Sequence, residues 1–227
     1  MTDTYLHTRD RLEEYFDRTA ARTWERLTSD APVSRIRQTV REGRDRMRAL
    51  ILDRLPADLH GARVLDAGCG AGPMSIELAA RGARVIATDI SPRLLDVARD
   101  RTPAPLRARI DYRAGDMLDP RLGTFDFVVA MDSLIHYRTD HIAQALADLS
   151  RRTVVAVVFT VAPRTPLLTA MHVAGKLFPR GDRSPAIVPQ ETGALARAVS
   201  QACGRRLETL GRVANGFYIS QAMELRP

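Results

Sequence analysis

Val64-Leu65-Asp66-Ala67-Gly68-Cys69-Gly70-Ala71-Gly72 is the stretch on which the reading of this chain turns. Arg63 to Asp66 reads as a short strand, the glycines as a loop, and Pro73 to Arg81 as a helix closed by Gly82. A strand that runs through glycines into a helix marks the place where a doubly wound sheet binds its ligand. Bare backbone can approach the ligand there, where any Cβ would push it away. A dinucleotide fingerprint, G-x-G-x-x-G, needs a third glycine at position 73, and Pro73 stands there instead. The dehydrogenase reading loses ground.

Downstream, strand and helix signals alternate. Ala83 to Asp89 is a second strand, and Ser91-Pro92 caps a helix over Arg93 to Arg101. Ile110 to Arg113 is a weak third strand, and Phe125 to Met131 a strong fourth. Thr139-Asp140 caps a helix carrying Ile142, Leu146 and Leu149, and Thr153 to Thr160 is a β-branched run expected to be buried on both faces. Gln190 to Cys203 reads as a helix, and Arg205 to Val213 and Phe217 to Leu225 as a hairpin turning at Asn215-Gly216. Upstream, Leu12, Phe16, Ala20, Trp24 and Leu27, then Val33, Ile36, Val40, Met47, Leu50 and Ile51, recur at helical spacing. The expected fold is α/β: a doubly wound, mostly parallel, Rossmann-like sheet of seven strands with an antiparallel C-terminal edge hairpin. The expected division is a helical cap over 1–55 and a main domain over 56–227, with a lid-like insertion at about 161–189 that is too long for an ordinary connection.

Composition narrows the function classes. With 227 residues, 45% of them hydrophobic, the chain can bury one real core. The net charge is +7, and Lys176 is the one lysine among 34 basic residues. In the first 54 residues twelve arginines interleave with ten acids, which is the pattern of a solvated helix face and not of a nucleic-acid arm. Cys69 and Cys203 are too few for a disulfide scaffold, and no metal site is expected. Met1 to Glu14 is polar, unlike a signal peptide, and the most apolar stretch, Thr153 to Pro163, is far shorter than the roughly 20 residues a spanning helix needs. A cytoplasmic location without a transmembrane segment is the expectation.

The form D-x-G-x-G-x-G, carried by Asp66, Gly68, Gly70 and Gly72, resembles the first motif of the class I S-adenosylmethionine-dependent methyltransferases. The resemblance implies that this loop holds the methionine and ribose parts of S-adenosylmethionine, with S-adenosylhomocysteine as product. Asp89, 23 residues after Asp66, can accept both ribose hydroxyls, with Ile90 beside it. In the family Asp116 faces the adenine amine and Met117 packs on the ring. Asp132 completes the implied cofactor set, and Arg41 is the implied contact for the α-carboxylate. After the fourth strand the chain reads Asp132-Ser133-Leu134-Ile135-His136-Tyr137. It lacks the N/D-P-P-Y/F motif of amino-group DNA methylation and the Pro-Cys of cytosine C5 methylation, so nucleic-acid targets recede.

That segment, together with Tyr15-Phe16-Asp17-Arg18-Thr19 and Trp24, Thr160 to Leu168, and Lys176-Leu177-Phe178-Pro179, is similar to the magnesium-protoporphyrin IX O-methyltransferases of chlorophyll and bacteriochlorophyll synthesis. The resemblance implies methyl transfer to one propionate of magnesium protoporphyrin IX, with magnesium present only as part of that substrate. His136, just past the strand end where a substrate carboxylate could meet the methyl group, is the expected catalytic or positioning residue. An axial ligand to the substrate's magnesium and a loop histidine packed on Tyr137 are the alternatives. His141, inside a helix, reads as a surface residue. Trp24 and Leu168 would face the macrocycle, and Arg164 and Lys176 its propionates. Where the family carries a tyrosine after its tryptophan, this chain has Thr28. A magnesium chelatase subunit is the candidate protein partner, and peripheral contact with the photosynthetic membrane is compatible with an apolar product. Two other readings remain open here: a methyltransferase of the same fold acting on another small molecule such as a quinone precursor, and a non-catalytic porphyrin carrier.

Overall fold

The alternation of apolar runs and amphipathic helices is realised in a computed structural model that describes residues 3–15, 17, 35–164 and 187–226. Among the described residues the helices α1 (Asp3–Tyr15) and α2 (Arg35–Arg54) come first. Then β1 (Arg63–Ala67), α3 (Pro73–Ala80), β2 (Arg84–Asp89), α4 (Pro92–Arg101), β3 (Ile110–Ala114) and β4 (Phe125–Ala130) follow in turn. The chain continues through α5 (Thr139–Ser150), β5 (Thr153–Val161), α6 (Thr192–Cys203), β6 (Leu207–Asn215) and β7 (Tyr218–Leu225).

The strands form one sheet in the order β3-β2-β1-β4-β5-β7-β6. β1 to β5 pair in parallel, while β7 inserts antiparallel between β5 and β6. Successive side chains of a strand point to opposite faces, so the sheet divides the core in two. Leu65, Ala67, Val128 and Ala130 join α1, α5 and α6 on one side. Val64, Phe127, Val129 and Met131 join α2, α3 and α4 on the other. Being covered on both faces, β1 and β4 read as nearly unbroken apolar runs. The chain crosses from one side to the other between β1 and β4, and β2 and β3 end together, Asp89 beside Ala114. That edge is where such a sheet opens a crevice.

Local chemistry explains most boundaries. Ser91 accepts the Leu94 N–H at the start of α4, with Pro92 in the first turn, and Gly216 turns the hairpin at φ +57°. Four expectations need correction. The run from Thr153 is not buried throughout, since Val154 and Val155 are exposed. Between Phe125 and Phe127 of β4 its partner β5 advances from Thr153 to Ala156, and the extra residue makes a bulge that turns this end out of the core. His141 is buried, because α1 lies against the start of α5 and sets the Tyr5 ring edge-on to the imidazole, 6.3 Å between centroids. Thr139 and Asp140 do not cap α5; Arg138 holds that position without a side-chain bond, and the Thr139 hydroxyl donates to Gln190 instead. Helix α6 accordingly starts at Thr192, capped by Glu191, while Gln190 is drawn into a bridge with Pro163.

Candidate cofactor and active site

A cleft opens at the carboxyl ends of β1, β2 and β4. Its floor is the glycine loop. Gly68 and Gly70 have φ of +81° and +54°, the left-handed region that costs other residues energy. A Cβ on Gly68 would stand 2.4 Å from the Ser133 Cβ, whereas one on Gly70 would meet nothing within 4 Å. The first glycine therefore lets the β1 and β4 loops touch, and the second leaves its backbone bare toward the cleft. Gly72 serves neither purpose. It caps α3 at φ +84°, and its missing Cβ would lie 2.8 Å from the Tyr112 hydroxyl, a position that packing also requires to be glycine.

Two acids flank the loop differently. Asp89 lines the cleft; its Oδ2 accepts the Gly70 N–H at 2.8 Å and its Oδ1 the Ser91 N–H at 2.9 Å. Burial pushes its carboxyl upward, against the pull of those N–H groups. Asp66 is 1% exposed behind the loop and accepts the Ser75 hydroxyl at 2.5 Å. Burial raises it to about 7, with the Ser75 bond opposing and the nearby Asp89 charge adding. It lies off the cleft wall, and its bond to Ser75 ties β1 to α3.

Ile90, Leu94 and Met117 form an apolar shelf beside Asp89. Asp116 is not on the wall. Its carboxylate accepts the Tyr5 hydroxyl at 3.1 Å, Arg9 Nη1 at 3.3 Å and the Leu118 N–H at 2.9 Å, bonds that anchor α1. Tyr5 stacks on Tyr137 with 5.1 Å between centroids, which places Leu12 of α1 on the cleft wall.

At the opposite end stands Asp132, the one non-glycine residue with positive φ among those described, at +56°. The Tyr218 hydroxyl donates to its carboxylate at 3.1 Å, Thr160 Oγ1 donates at 3.2 Å, and Arg44 Nε stands 3.5 Å away. Such a web is what holds an unfavourable backbone conformation in place. Arg44 lines the cleft and Arg41 does not. The two are three residues apart on α2, and the face that meets Asp132 carries Arg44. Close approach of α2 to β7 makes this possible, since a Cβ on Gly43 would stand 2.6 Å from the Tyr218 ring.

His136 lines the cleft with Ser133 and Tyr137. The Ser133 Oγ is buried with no hydrogen-bond partner among the described residues, a donor facing the glycine loop. Arg164 is exposed, and it is not a wall residue. Trp24, Leu168 and Lys176 lie outside the described residues. Among the described residues no cluster of three or more His, Cys, Asp or Glu is placed to hold a metal ion, and no helix is long and apolar enough to cross a membrane. Leu12, Arg44, Ser133 and Tyr137 line the cleft without having been singled out as site residues. Ser133 and Tyr137 lie inside the segment Asp132 to Tyr137 after β4, Leu12 in the apolar pattern of the first helix, and Arg44 one turn beyond Arg41.

The residues present fit S-adenosylmethionine. Gly70 leaves the space that a Cβ would fill, Asp89 offers a carboxylate where ribose hydroxyls would lie, and Ile90, Leu94 and Met117 offer a surface for a base. Arg44 and Asp132 present opposite charges where an amino acid's carboxylate and ammonium would reach.

Fold and site together define a class I S-adenosylmethionine-dependent methyltransferase. The model of the methyltransferase domain matches residues 64–154, and that of the magnesium-protoporphyrin IX methyltransferase C-terminus matches residues 130–227. A magnesium-protoporphyrin O-methyltransferase of Rhodobacter capsulatus is 55% identical, covering 100% of both chains. One of Synechocystis sp. is 29% identical over 99% of this chain and 98% of its own. The crystal structure of magnesium protoporphyrin IX methyltransferase from Synechocystis PCC 6803 with bound SAH superposes with a TM-score of 0.80, at 26% identity over 96% of this chain and 98% of that one. This chain belongs to the magnesium-protoporphyrin O-methyltransferase family.

Proposed function

We propose that this chain transfers the methyl group of S-adenosylmethionine to a propionate carboxylate of magnesium protoporphyrin IX, giving the monomethyl ester in chlorophyll or bacteriochlorophyll synthesis. The observation that carries the reading is a single cleft joining the bare Gly70 backbone and Asp89 to His136, in a chain 55% identical from end to end to a family member. The sulfonium supplies an electrophilic methyl whose bond to sulfur breaks, the electron pair staying on sulfur, as the carboxylate oxygen bonds to carbon.

The residues need supply no strong base. A propionic acid has a pKa near that of glutamate, about 4.3, so its carboxylate is ionised at neutral pH. The work is orientation, which can save about 7–11 kcal/mol when the reacting atoms are held in line. His136, on the cleft wall just beyond β4, is positioned to donate a hydrogen bond to the propionate and hold one oxygen toward the glycine loop. The cofactor set that the geometry supports is Gly68, Gly70, Asp89, Ile90, Met117, Asp132 and Arg44.

The reading extends to a magnesium chelatase subunit as the supplier of substrate and to peripheral contact with the photosynthetic membrane. What supports both is the chemistry of a flat, apolar macrocycle that dissolves poorly in water. Incubating the purified protein with methyl-labelled S-adenosylmethionine and magnesium protoporphyrin IX should yield labelled monomethyl ester. Folded protein that binds both compounds and forms no ester is a carrier and refutes the assignment.

A further inference from the structure

Gln190 is uncharged, polar and 1% exposed, and both amide N–H donors and its amide oxygen are engaged. Its Oε1 accepts the Thr139 hydroxyl at 2.8 Å, and its Nε2 donates to the carbonyls of Tyr137 at 3.0 Å and Val188 at 2.9 Å. Its own backbone N–H donates to Ala162 O at 2.8 Å, and its carbonyl accepts the Arg164 N–H at 2.7 Å. The Val188 N–H in turn donates to Ile135 O at 2.8 Å. Ile135 and Tyr137 are the two neighbours of His136. The backbone on both sides of that histidine is therefore bonded to Val188 and Gln190, and through the Gln190 backbone to Ala162 and Arg164 just beyond β5. A glutamine that merely filled a hole would not need to tie the segment 137–139 to Val188 through its amide while its backbone pairs with Ala162 and Arg164. A buried amide with both donors and its oxygen engaged strongly favours one arrangement.

We infer that Gln190 is a positioning residue for methyl transfer, acting through His136 by fixing the loop that presents the imidazole to the cleft. The inference rests on the role given to His136 above. It also explains why Thr139 is turned away from capping α5: its hydroxyl completes the clamp.

The test is a double-mutant cycle. Gln190→Glu keeps the acceptor for Thr139 and loses both donors, and Gln190→Met loses all three bonds. Each should lower kcat by about 10- to 100-fold, the scale of a misplacement of about 1 Å, while the Kd for S-adenosylhomocysteine changes by less than about two-fold. In a His136→Ala background the same changes should lower kcat by less than about two-fold, because a residue acting through another has nothing left to position. Losses that multiply in the double variants would overturn the inference and leave His136 standing. So would an unchanged kcat, or S-adenosylhomocysteine binding that falls in step with kcat in both variants, since either marks a structural glutamine. A fully active His136→Ala protein would instead sink the role given to the histidine.

Discussion

The carboxylate of Asp89 accepts the backbone N–H of Gly70 at 2.8 Å, so the acid at the tip of β2 and the loop after β1 form one unit. The same carboxylate takes the Ser91 N–H at the start of α4. Three elements are thus aligned around the place where a ribose would lie.

Asp89→Asn should therefore weaken S-adenosylhomocysteine binding by about 1–3 kcal/mol, the range for losing hydrogen bonds to a charged group. Titration calorimetry checks it. An unchanged affinity would remove Asp89 from the cofactor site.

Two glycines should fail in different ways. Gly70→Ala meets no atom within 4 Å but must hold a φ of +54°, at a cost of about 1–2 kcal/mol, and its methyl enters the cleft. The melting temperature should fall by the few degrees that this strain costs, while cofactor binding is lost. Gly43→Ala drives a methyl to 2.6 Å from the Tyr218 ring and should destabilise by about 1–3 kcal/mol through overpacking. The reverse pattern would show that both have been misread.

Arg44→Gln should weaken S-adenosylhomocysteine binding about 10- to 100-fold, from the loss of a charge-assisted bond. Binding of 5′-methylthioadenosine, which lacks the amino-acid end, should be unaffected. Equal losses for the two ligands would mean that Arg44 shapes the cleft without reading the carboxylate.

Asp66 should leave its mark on stability against pH. Burial raises its folded-state pKa to about 7, well above the ordinary value of 3.8. Between those values the folded chain keeps a proton that the unfolded chain releases, so stability falls as pH rises through this window and levels off above it. Asp66→Asn should remove this part of the slope, which melting curves at several pH values would register. A slope unchanged by the substitution would assign it to other groups.

Much of the frame was legible because its signals are local. Seven strands and their helices followed from the alternation of apolar periods, and Ser91-Pro92 and Asn215-Gly216 marked a helix start and a hairpin by their own turn chemistry. Asp89 stood out by its place after a strand, and it lies in the cleft. Asp116 was marked by the same rule and is held by Tyr5, 111 positions away, and by Arg9. His141 had the neighbours of a surface residue until α1 was packed against it.

By itself the amino-acid order determined the period of each element, the bare backbone at Gly68 and Gly70, and the edge of the sheet at which a ligand must sit, since each depends on residues within one or two turns of chain. Tertiary structure alone decided that Arg44 and not Arg41 faces Asp132, and that Gln190 grips the loop of His136. Those outcomes depend on which helix face lies against which strand and on which buried polar group finds its partner. Both are settled by packing between segments far apart in the chain.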